Sequence, residues 1–385
     1  MKKILFFTPY GERTGSEMLL WNILKGFDRH LFQAQLICEQ SGELLNSMPA
    51  DVKSYSLNYS LLEKAIFKVS TIKKSNENFS PIAAYINQIT SIHNRFQPDY
   101  WYLNTIVMAK MIPLARRLGV KVISHFHELP PSYQTIRENQ LKDLIEYSTA
   151  IIGCSEIVCE KIRILGHRNI YLQHEFIDNS KITTRNDKKK QIRQELNIAD
   201  DDFVWGLSAT RTNNKGIDLL PEIAKSFSNK KAHFIWLGGG NSGLFYYAKK
   251  QIEYYGIENV HFLGALKEDY YDYLAVADAF LLLSRSDSFP LVMIEAAYLG
   301  KPIIAFNSGG VNEFVLEGMG AIVDSWNICD LINEMNKLMS GAIKIDTDII
   351  KERATEFCVS KQMIHWQNII NSIISHNNGD SRRSV

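Results

Sequence analysis

Short runs of apolar residues alternate along the whole chain with longer segments of helical periodicity. Apolar runs of this length indicate buried strands, and their alternation with helices is typical of parallel sheets joined by crossover helices. In the first half of the chain the runs are Lys3–Thr8, Phe32–Cys38, Asp99–Asn104, Val120–His125, Ala150–Gly153 and Asn169–Gln173. A second series comprises Phe203–Ser208, His233–Leu237, Val260–Leu263, Ala279–Leu283, Pro302–Phe306 and Ala321–Val323. The pattern predicts an α/β protein with two consecutive doubly wound sheets.

The length of the chain also favours two domains, because 385 residues exceed what one hydrophobic core usually accommodates. The composition turns polar between Asp178 and Asp202, where we interpret the Lys188–Lys190 run as part of a solvated linker. We therefore predict an N-terminal Rossmann-like domain over residues 1–180 and a C-terminal one over 181–360. Doubly wound sheets bind ligands at the carboxyl ends of their strands, so we expect the two domains to face each other across a cleft.

Three segments fall outside the predicted sheets. Leu57–Ser80 is rich in Lys and Asn, and we interpret it as an excursion over the surface. The remainder, 361–385, begins with the amphipathic stretch Gln362–Ile374, for which a helix that crosses back to the first domain is one interpretation. Asn377–Val385 has the polar composition of a disordered tail.

The charge, the cysteine content and the length of the apolar runs indicate which partners and which compartment to expect. With 43 basic and 42 acidic residues the formal net charge is +1, which gives no electrostatic reason to expect a nucleic-acid partner. The five cysteines form no C-x-x-C pair, so a reduced compartment fits best. No apolar run approaches the length of a membrane span. We expect a cytoplasmic protein, and peripheral attachment at the inner face of the cell membrane remains open.

The segment Ala277–Ala305 carries the clearest chemical pattern and reads as strand, loop, helix, turn and strand. Pro290 suits the first helical turn, so the amide groups of Leu291–Met293 would lack intrahelical partners and, with the helix dipole, favour an anion such as a diphosphate. One to two turns along, Glu295 can accept hydrogen bonds from a ribose diol, and Asp287 in the preceding loop can reach sugar hydroxyls. Capping and solvated surface charge are the alternative interpretation of both carboxylates.

Two loops that follow strands in the same half add to this pattern. Arg211 and Lys215 lie after the run Phe203–Ser208, where cations can neutralise the charge on a departing nucleoside diphosphate. Surface cations on a loop are the alternative interpretation. Gly238–Gly240 ends the next strand, where the missing side chains permit close approach of a nucleotide.

The first half offers two weaker candidates. Gly15 follows the first strand and opens a helix, so its backbone can approach a phosphate, although a simple capped turn is an equally good interpretation. His125 and His127 alternate just beyond a strand and would share one face, but further metal ligands are not evident, so no metal is expected.

These motifs resemble the large GT-B family of retaining glycosyltransferases that includes sucrose synthases and many bacterial polysaccharide and lipopolysaccharide enzymes. Asp287 and Glu295 have the spacing of its acidic-x7-acidic motif, in which the first acid is normally Glu. The resemblance implies a GT-B fold and assigns a sugar contact to His127. Its catalytic residues would be His127, Asp287, Lys215 and Arg211. Its nucleotide-sugar ligands would be Gly15, Arg211, Lys215, Gly239, Phe289, Pro290, Leu291, Val292 and Glu295.

The implied reaction moves a sugar from a nucleoside diphosphate to a hydroxyl of a glycan or lipid-linked acceptor, with retention at the anomeric carbon and no metal cofactor. Bacterial surface polysaccharide synthesis is the implied context. Two alternatives stay open, a nucleotide-sugar epimerase of the same architecture and a non-catalytic subunit that binds nucleotide or glycan. A dehydrogenase is disfavoured, because no G-x-G-x-x-G follows either first strand.

Overall fold

The computed structural model describes residues 1–57, 81–229, 231–324 and 326–380. The predicted surface excursion therefore lies outside the described residues, except for Leu57 at its start. The chain divides into two compact units, one formed by Met1–Glu175 together with Gln362–Val385 and the other by Phe176–Lys361. The first unit thus includes the C-terminal segment from Gln362, for which a helix that crosses back to the first domain was one interpretation.

The first unit contains a seven-stranded sheet in which every strand pair is parallel, in the order β3-β2-β1-β4-β5-β6-β7. Its strands are β1 Lys2–Tyr10, β2 Phe32–Gln40, β3 Lys53–Ser56, β4 Tyr100–Asn104, β5 Lys121–Phe126, β6 Ala150–Gly153 and β7 Ile170–Leu172. Its described α-helices are Gly15–Gly26, Pro81–Phe96, Ile112–Leu118, Glu138–Tyr147 and Glu156–Ile164, with short 3-10 helices at Glu43–Ser47, Ile106–Met111 and Pro130–Thr135. The predicted runs of the first half all form strands.

The strand β3 is the element that the apolar pattern missed. It has the sequence Lys-Ser-Tyr-Ser and lies at the edge of the sheet, paired with β2 alone. Edge strands bury little apolar surface and are often short and charged, so their sequences carry a weak signal.

The second unit repeats this architecture with a six-stranded parallel sheet in the order β10-β9-β8-β11-β12-β13. Its strands are β8 Phe203–Ser208, β9 Ala232–Leu237, β10 Val260–Gly264, β11 Ala279–Leu282, β12 Ile303–Phe306 and β13 Gly320–Val323. Its described helices are Asn179–Lys181, Asn186–Glu195, Leu220–Lys225, Gly243–Tyr254, Tyr270–Val276, Leu291–Tyr298, Val311–Phe314, Ile328–Met339 and Thr347–Glu356. The strand order reverses between β8 and β11, and such a reversal leaves a crevice at the carboxyl ends of the two strands.

A long helix, Val359–Asp380, closes the described chain. It belongs to the first unit from Gln362 onward and continues through Asp380, into the tail that composition indicated to be disordered. Its Trp366 is fully buried, with its ring centroid 6.5 Å from that of Phe6 and 6.3 Å from that of Tyr102. The helix therefore contributes an aromatic residue to the core of the first unit.

Replacing Trp366 with Ala is expected to lower the free energy of unfolding by about 3–5 kcal/mol, because the buried indole leaves a cavity. Urea or thermal unfolding measures the loss. Ile364→Ala on the same helix is the control, since Ile364 is 61% exposed and its truncation should cost less than about 0.5 kcal/mol. Equal losses in the two variants would contradict this account of the helix.

Candidate active site

The helix Leu291–Tyr298 begins at the crevice beyond β11. Pro290 is its N-cap and Phe289 is buried against the rings of Phe314 and Phe357, so the helix start is anchored in the core. The first turn carries no acidic side chain in this fully described helix. Within the described part of the chain, the amide groups of Leu291 and Val292 have no hydrogen-bond acceptor. Unpaired amides and an uncompensated dipole make this helix end suitable for an anion.

The loop that precedes this helix is held by backbone contacts with the turn after β12. The amide of Asp287 donates to the carbonyl of Ser308 at 2.9 Å, and the amide of Gly310 donates to the carbonyl of Asp287 at 3.0 Å. A Cβ atom on Gly310 would lie 1.8 Å from the carbonyl oxygen of Ser288. Glycine is required here for a close approach of two backbones, and this approach fixes the position of Asp287.

Two predicted site residues, Lys215 and Asp287, meet in an ion pair. The Lys215 Nζ atom lies 2.6 Å from Oδ2 of Asp287, and the two side chains are 26% and 14% exposed. Their loops follow β8 and β11, which are neighbours in the sheet. The ammonium therefore lies beside the loop that leads into the anion-favouring helix end.

Further residues, which sequence reasoning missed, fasten these two loops together. The Arg285 guanidinium binds the Asp218 carboxylate through two hydrogen bonds of 2.8 and 2.7 Å. The side chain of Asn214 donates to the carbonyl of Ser286 at 2.9 Å. Bidentate arginine–carboxylate pairs are geometrically specific, so they set the spacing between Lys215 and Asp287. Their charges are visible in the sequence, but nothing in the sequence pairs them.

Arg211 and Gly239 form a neighbouring group after β8 and β9. The Arg211 guanidinium lies over the ring of Phe245 at 4.2 Å and that of Phe262 at 5.4 Å, and its amide donates to the Gly239 carbonyl at 3.0 Å. Burial lowers the pKa of Arg211 from its ordinary value. Its guanidinium thus stacks against aromatic rings, whereas the Lys215 ammonium lies against a carboxylate.

The turn that contains Gly239 is itself sterically constrained. Gly238 has φ +125°, and a Cβ there would lie 2.1 Å from the Ala209 carbonyl oxygen. The loops after β8 and β9 therefore pack backbone against backbone, which only glycine permits.

Glu295 lies inside the helix Leu291–Tyr298, where both of its carboxylate oxygens accept hydrogen bonds from tyrosine. The Tyr271 hydroxyl donates to Oε1 and the Tyr270 hydroxyl to Oε2, each at 3.0 Å. The Tyr270 oxygen also lies 2.8 Å from the hydroxyl of Ser208, at the carboxyl end of β8. Burial and the Glu295 charge raise the pKa of Tyr270 well above its ordinary value, so this phenol keeps its proton.

In the first unit His127 lies in a buried polar network. Its Nδ1 atom is 2.6 Å from Oε1 of Glu175 and its Nε2 atom 2.9 Å from Oδ1 of Asn104. The Asn104 amide nitrogen donates to the hydroxyl of Thr8 and the carbonyl of Ser16, which leaves Oδ1 as the acceptor. Both ring nitrogens of His127 therefore face acceptors, as a doubly protonated imidazolium requires. Burial alone would lower the pKa of His127, but the Glu175 carboxylate raises it above its ordinary value.

The neighbouring His125 has a pKa shifted in the opposite direction. Its ring lies 4.1 Å from that of His127 by centroid, and its Nδ1 atom is 2.7 Å from the Tyr102 hydroxyl. Burial and the His127 charge lower the pKa of His125 well below its ordinary value. The two histidines share one face, as their alternation predicted, but only one of them carries charge.

Gly15, the remaining predicted phosphate contact, begins the helix Gly15–Gly26 and is exposed. The next residue in the chain accepts the hydrogen bond from Asn104, so this helix start is tied to the His127 network. The atoms of His127, Cys154 and Glu175 that are able to bind a metal lie within 4.8 Å of one another. The hydrogen bond between His127 and Glu175 brings two of these three side chains together.

Comparisons with known proteins agree with this architecture. Residues 188–356 match the family model described as glycosyl transferases group 1. O-antigen biosynthesis glycosyltransferase WclY of Escherichia coli is 28% identical over 188 residues, which cover 48% of this chain and 51% of that protein. Lipopolysaccharide 1,2-N-acetylglucosaminetransferase of Salmonella typhimurium is 24% identical over 202 residues, 49% of this chain and 51% of that protein. The chain thus aligns with about half the length of these relatives.

Among solved structures, HepE of Anabaena in complex with UDP and glucose superimposes with a TM-score of 0.77, covers 97% of this chain and 100% of its own, and is 19% identical. At that identity the likeness shows the fold. The class defined by fold and site is that of two-domain GT-B proteins with parallel Rossmann-like sheets. The match over residues 188–356, the relatives and the fold together confirm the predicted resemblance to the glycosyl transferases group 1 family and the GT-B fold. None of the described helices combines the length and apolarity that a membrane crossing requires.

The charged His127–Glu175 pair predicts a pH dependence of stability. Because the folded pKa of His127 is raised, its contribution is fully present below the unfolded value near 6.5 and is lost as pH rises through the folded pKa. We expect the free energy of unfolding to fall as pH rises from about 6.5 through the raised folded pKa, by about 1.4 kcal/mol for each unit by which that pKa is raised. Urea unfolding across this range measures the slope.

Glu175→Gln is the comparison variant, since it keeps the shape of the side chain and removes its charge. Its stability should depend less steeply on pH than that of the wild type in the same range. A wild-type slope that is unchanged in Glu175→Gln would show that another group titrates.

Proposed function

We propose that the protein is a glycosyltransferase that moves a sugar from a nucleoside diphosphate sugar to a hydroxyl acceptor. The observation that carries this proposal is the arrangement in the second unit, where Lys215 lies beside the loop leading to the unpaired amides of Leu291 and Val292. A cation, free amides and a helix dipole are the groups that a diphosphate needs. Glu295 follows on the same helix, where a carboxylate can accept hydrogen bonds from a ribose diol.

The electrostatic part of the reaction falls to Lys215. The leaving nucleoside diphosphate gains negative charge as the sugar departs, and a fixed cation stabilises this charge more in the transition state than in the ground state. In the free protein Asp287 neutralises Lys215, so an incoming diphosphate takes over the ammonium and frees the Asp287 carboxylate. We propose that the freed carboxylate then accepts hydrogen bonds from sugar hydroxyls. His127 is assigned to the transferred sugar by the family resemblance.

The nature of the acceptor is proposed from the relatives. WclY carries the description of an O-antigen enzyme and the Salmonella protein that of a lipopolysaccharide enzyme. We propose a glycan or lipid-linked acceptor in the synthesis of a bacterial surface polysaccharide. Retention at the anomeric carbon follows the family resemblance, and we propose that Lys215 supplies the positive charge that a metal ion supplies in other transferases.

Lys215→Ala should lower kcat/KM for transfer by about 100-fold or more, because the leaving group loses its counter-charge. A thermal-shift panel of nucleotide sugars first identifies the donor, since a ligand held only by the folded state raises its stability. Release of the nucleoside diphosphate then measures turnover. Lys249→Ala, which removes an exposed lysine from the helix Gly243–Tyr254, is the matched control and should keep wild-type activity. Full transfer by Lys215→Ala would refute the assignment.

The stereochemistry and the need for a metal form a separate test. With the identified donor and acceptor, the coupling constant of the anomeric proton in the new linkage should show the same configuration as the donor. The rate should be unchanged after treatment with EDTA. An inverted product, or a loss of activity that Mg²⁺ or Mn²⁺ restores, would contradict this part of the proposal.

A further inference from the structure

The Tyr270–Tyr271 pair has no part in the motif that identified the site, yet it holds both oxygens of Glu295. Each phenol is 3.0 Å from a different carboxylate oxygen, and the rings meet edge to face with centroids 4.9 Å apart. Both tyrosines lie in the first turn of the helix Tyr270–Val276. The side chain of Glu295 is therefore anchored from a second helix.

The direction of these hydrogen bonds follows from the donor inventory. A carboxylate only accepts, so each phenol must donate its single proton to Glu295. The Tyr270 oxygen then remains an acceptor, and the hydroxyl of Ser208, 2.8 Å away, donates to it. The result is a directed chain from Ser208 through Tyr270 to Oε2 of Glu295, with a separate donor, Tyr271, on Oε1.

The fixed plane of the carboxylate explains what this arrangement achieves. Each phenol holds a different oxygen, and an ionised carboxylate oxygen can accept more than one hydrogen bond. Two acceptor oxygens side by side in one fixed plane match the two vicinal hydroxyls of a ribose. A carboxylate free to rotate would lose conformational entropy on binding the same diol.

We infer that Tyr270 and Tyr271 are positioning residues that fix the Glu295 carboxylate for a vicinal diol and so determine the preference for ribonucleotide over deoxyribonucleotide donors. This inference rests on the proposed function, in which Glu295 binds the ribose. Sites built around a substrate hydroxyl discriminate strongly against analogues that lack it, because a buried polar group is then left unpaired. The tyrosines sharpen this discrimination by preventing the carboxylate from turning to a single remaining hydroxyl.

Titration calorimetry of the full chain with UDP, GDP and ADP, and with their 2′-deoxy and 3′-deoxy forms, tests the inference. The wild type should prefer the ribose form of its nucleotide by about tenfold or more. In the Tyr270→Phe/Tyr271→Phe double variant we expect this ratio to fall by about tenfold, through weaker binding of the ribose form. Binding of the deoxy forms should change little. Removing only hydroxyls preserves the ring packing, so a general loss of structure would weaken all three forms equally.

Controls separate this inference from the proposed function. Tyr247→Phe removes a phenol that is 58% exposed on another helix and should keep the wild-type ratio. Glu295→Ala should abolish the preference. If Glu295→Ala abolishes it and the double variant keeps it, the inference is overturned and the proposed role of Glu295 stands. If the wild type has no preference, or Glu295→Ala retains it, both are overturned. Tyr271→Phe alone provides the same test, with a smaller expected change, should the double variant fail to fold.

Discussion

The functional arrangement of the second unit depends on the contact between two loops that follow neighbouring parallel strands. β8 and β11 pair in register, with Phe280 opposite Gly206, so their carboxyl ends lie at one edge of the sheet. Lys215 leaves from one strand end and Asp287 from the other, and the Arg285–Asp218 pair fixes the gap between them. The close backbone approach at Gly310 then determines where the helix Leu291–Tyr298 begins. Cation, carboxylate and helix end are held together by these constraints.

Two charged side chains proposed to bind the substrate in this unit already have partners before any substrate arrives. Lys215 is neutralised by Asp287, and Glu295 is held by two phenols. These engagements differ in kind. A diphosphate competes directly with Asp287 for the Lys215 ammonium, whereas the phenols hold the Glu295 carboxylate by neutral donors and leave its charge in place. Binding of a nucleotide sugar would therefore exchange partners at Lys215 and add partners at Glu295, which limits the reorganisation needed for a low barrier.

In the first unit the main electrostatic feature is a buried charge, that of the His127 imidazolium. Asn104 and Glu175 both present acceptors to His127, so the imidazolium is satisfied on both nitrogens, and the adjacent His125 stays neutral. The residue after Asn104, Thr105, has φ +73°, a strained conformation for a residue other than glycine. Strain of this kind persists only where the surrounding structure enforces it. The network is therefore stiff, and the position of the His127 ring is fixed.

Local periodicity was sufficient to locate the strands, because a parallel strand is buried on both faces and must be apolar along its length. Among the strands that the structure describes, only the polar edge strand β3 was missed. The spacing of Asp287 and Glu295 likewise placed one acid before a helix and the other inside it. Sequence patterns could not identify partners such as Tyr271, Arg285 and Asn104. Each lies more than twenty residues along the chain from the group that it contacts, and the composition around it is ordinary.

The sequence by itself thus determined the class of fold, the family resemblance and the residue types at the helix end, since these depend on local pattern and short-range spacing. Tertiary structure alone decided which charges meet, which phenols hold Glu295 and that Arg211 stacks on Phe245. The physical reason is that hydrogen bonds and ion pairs act over a few ångströms in space. The order of residues along the chain does not determine the distances between these groups, which are set only when the sheets assemble.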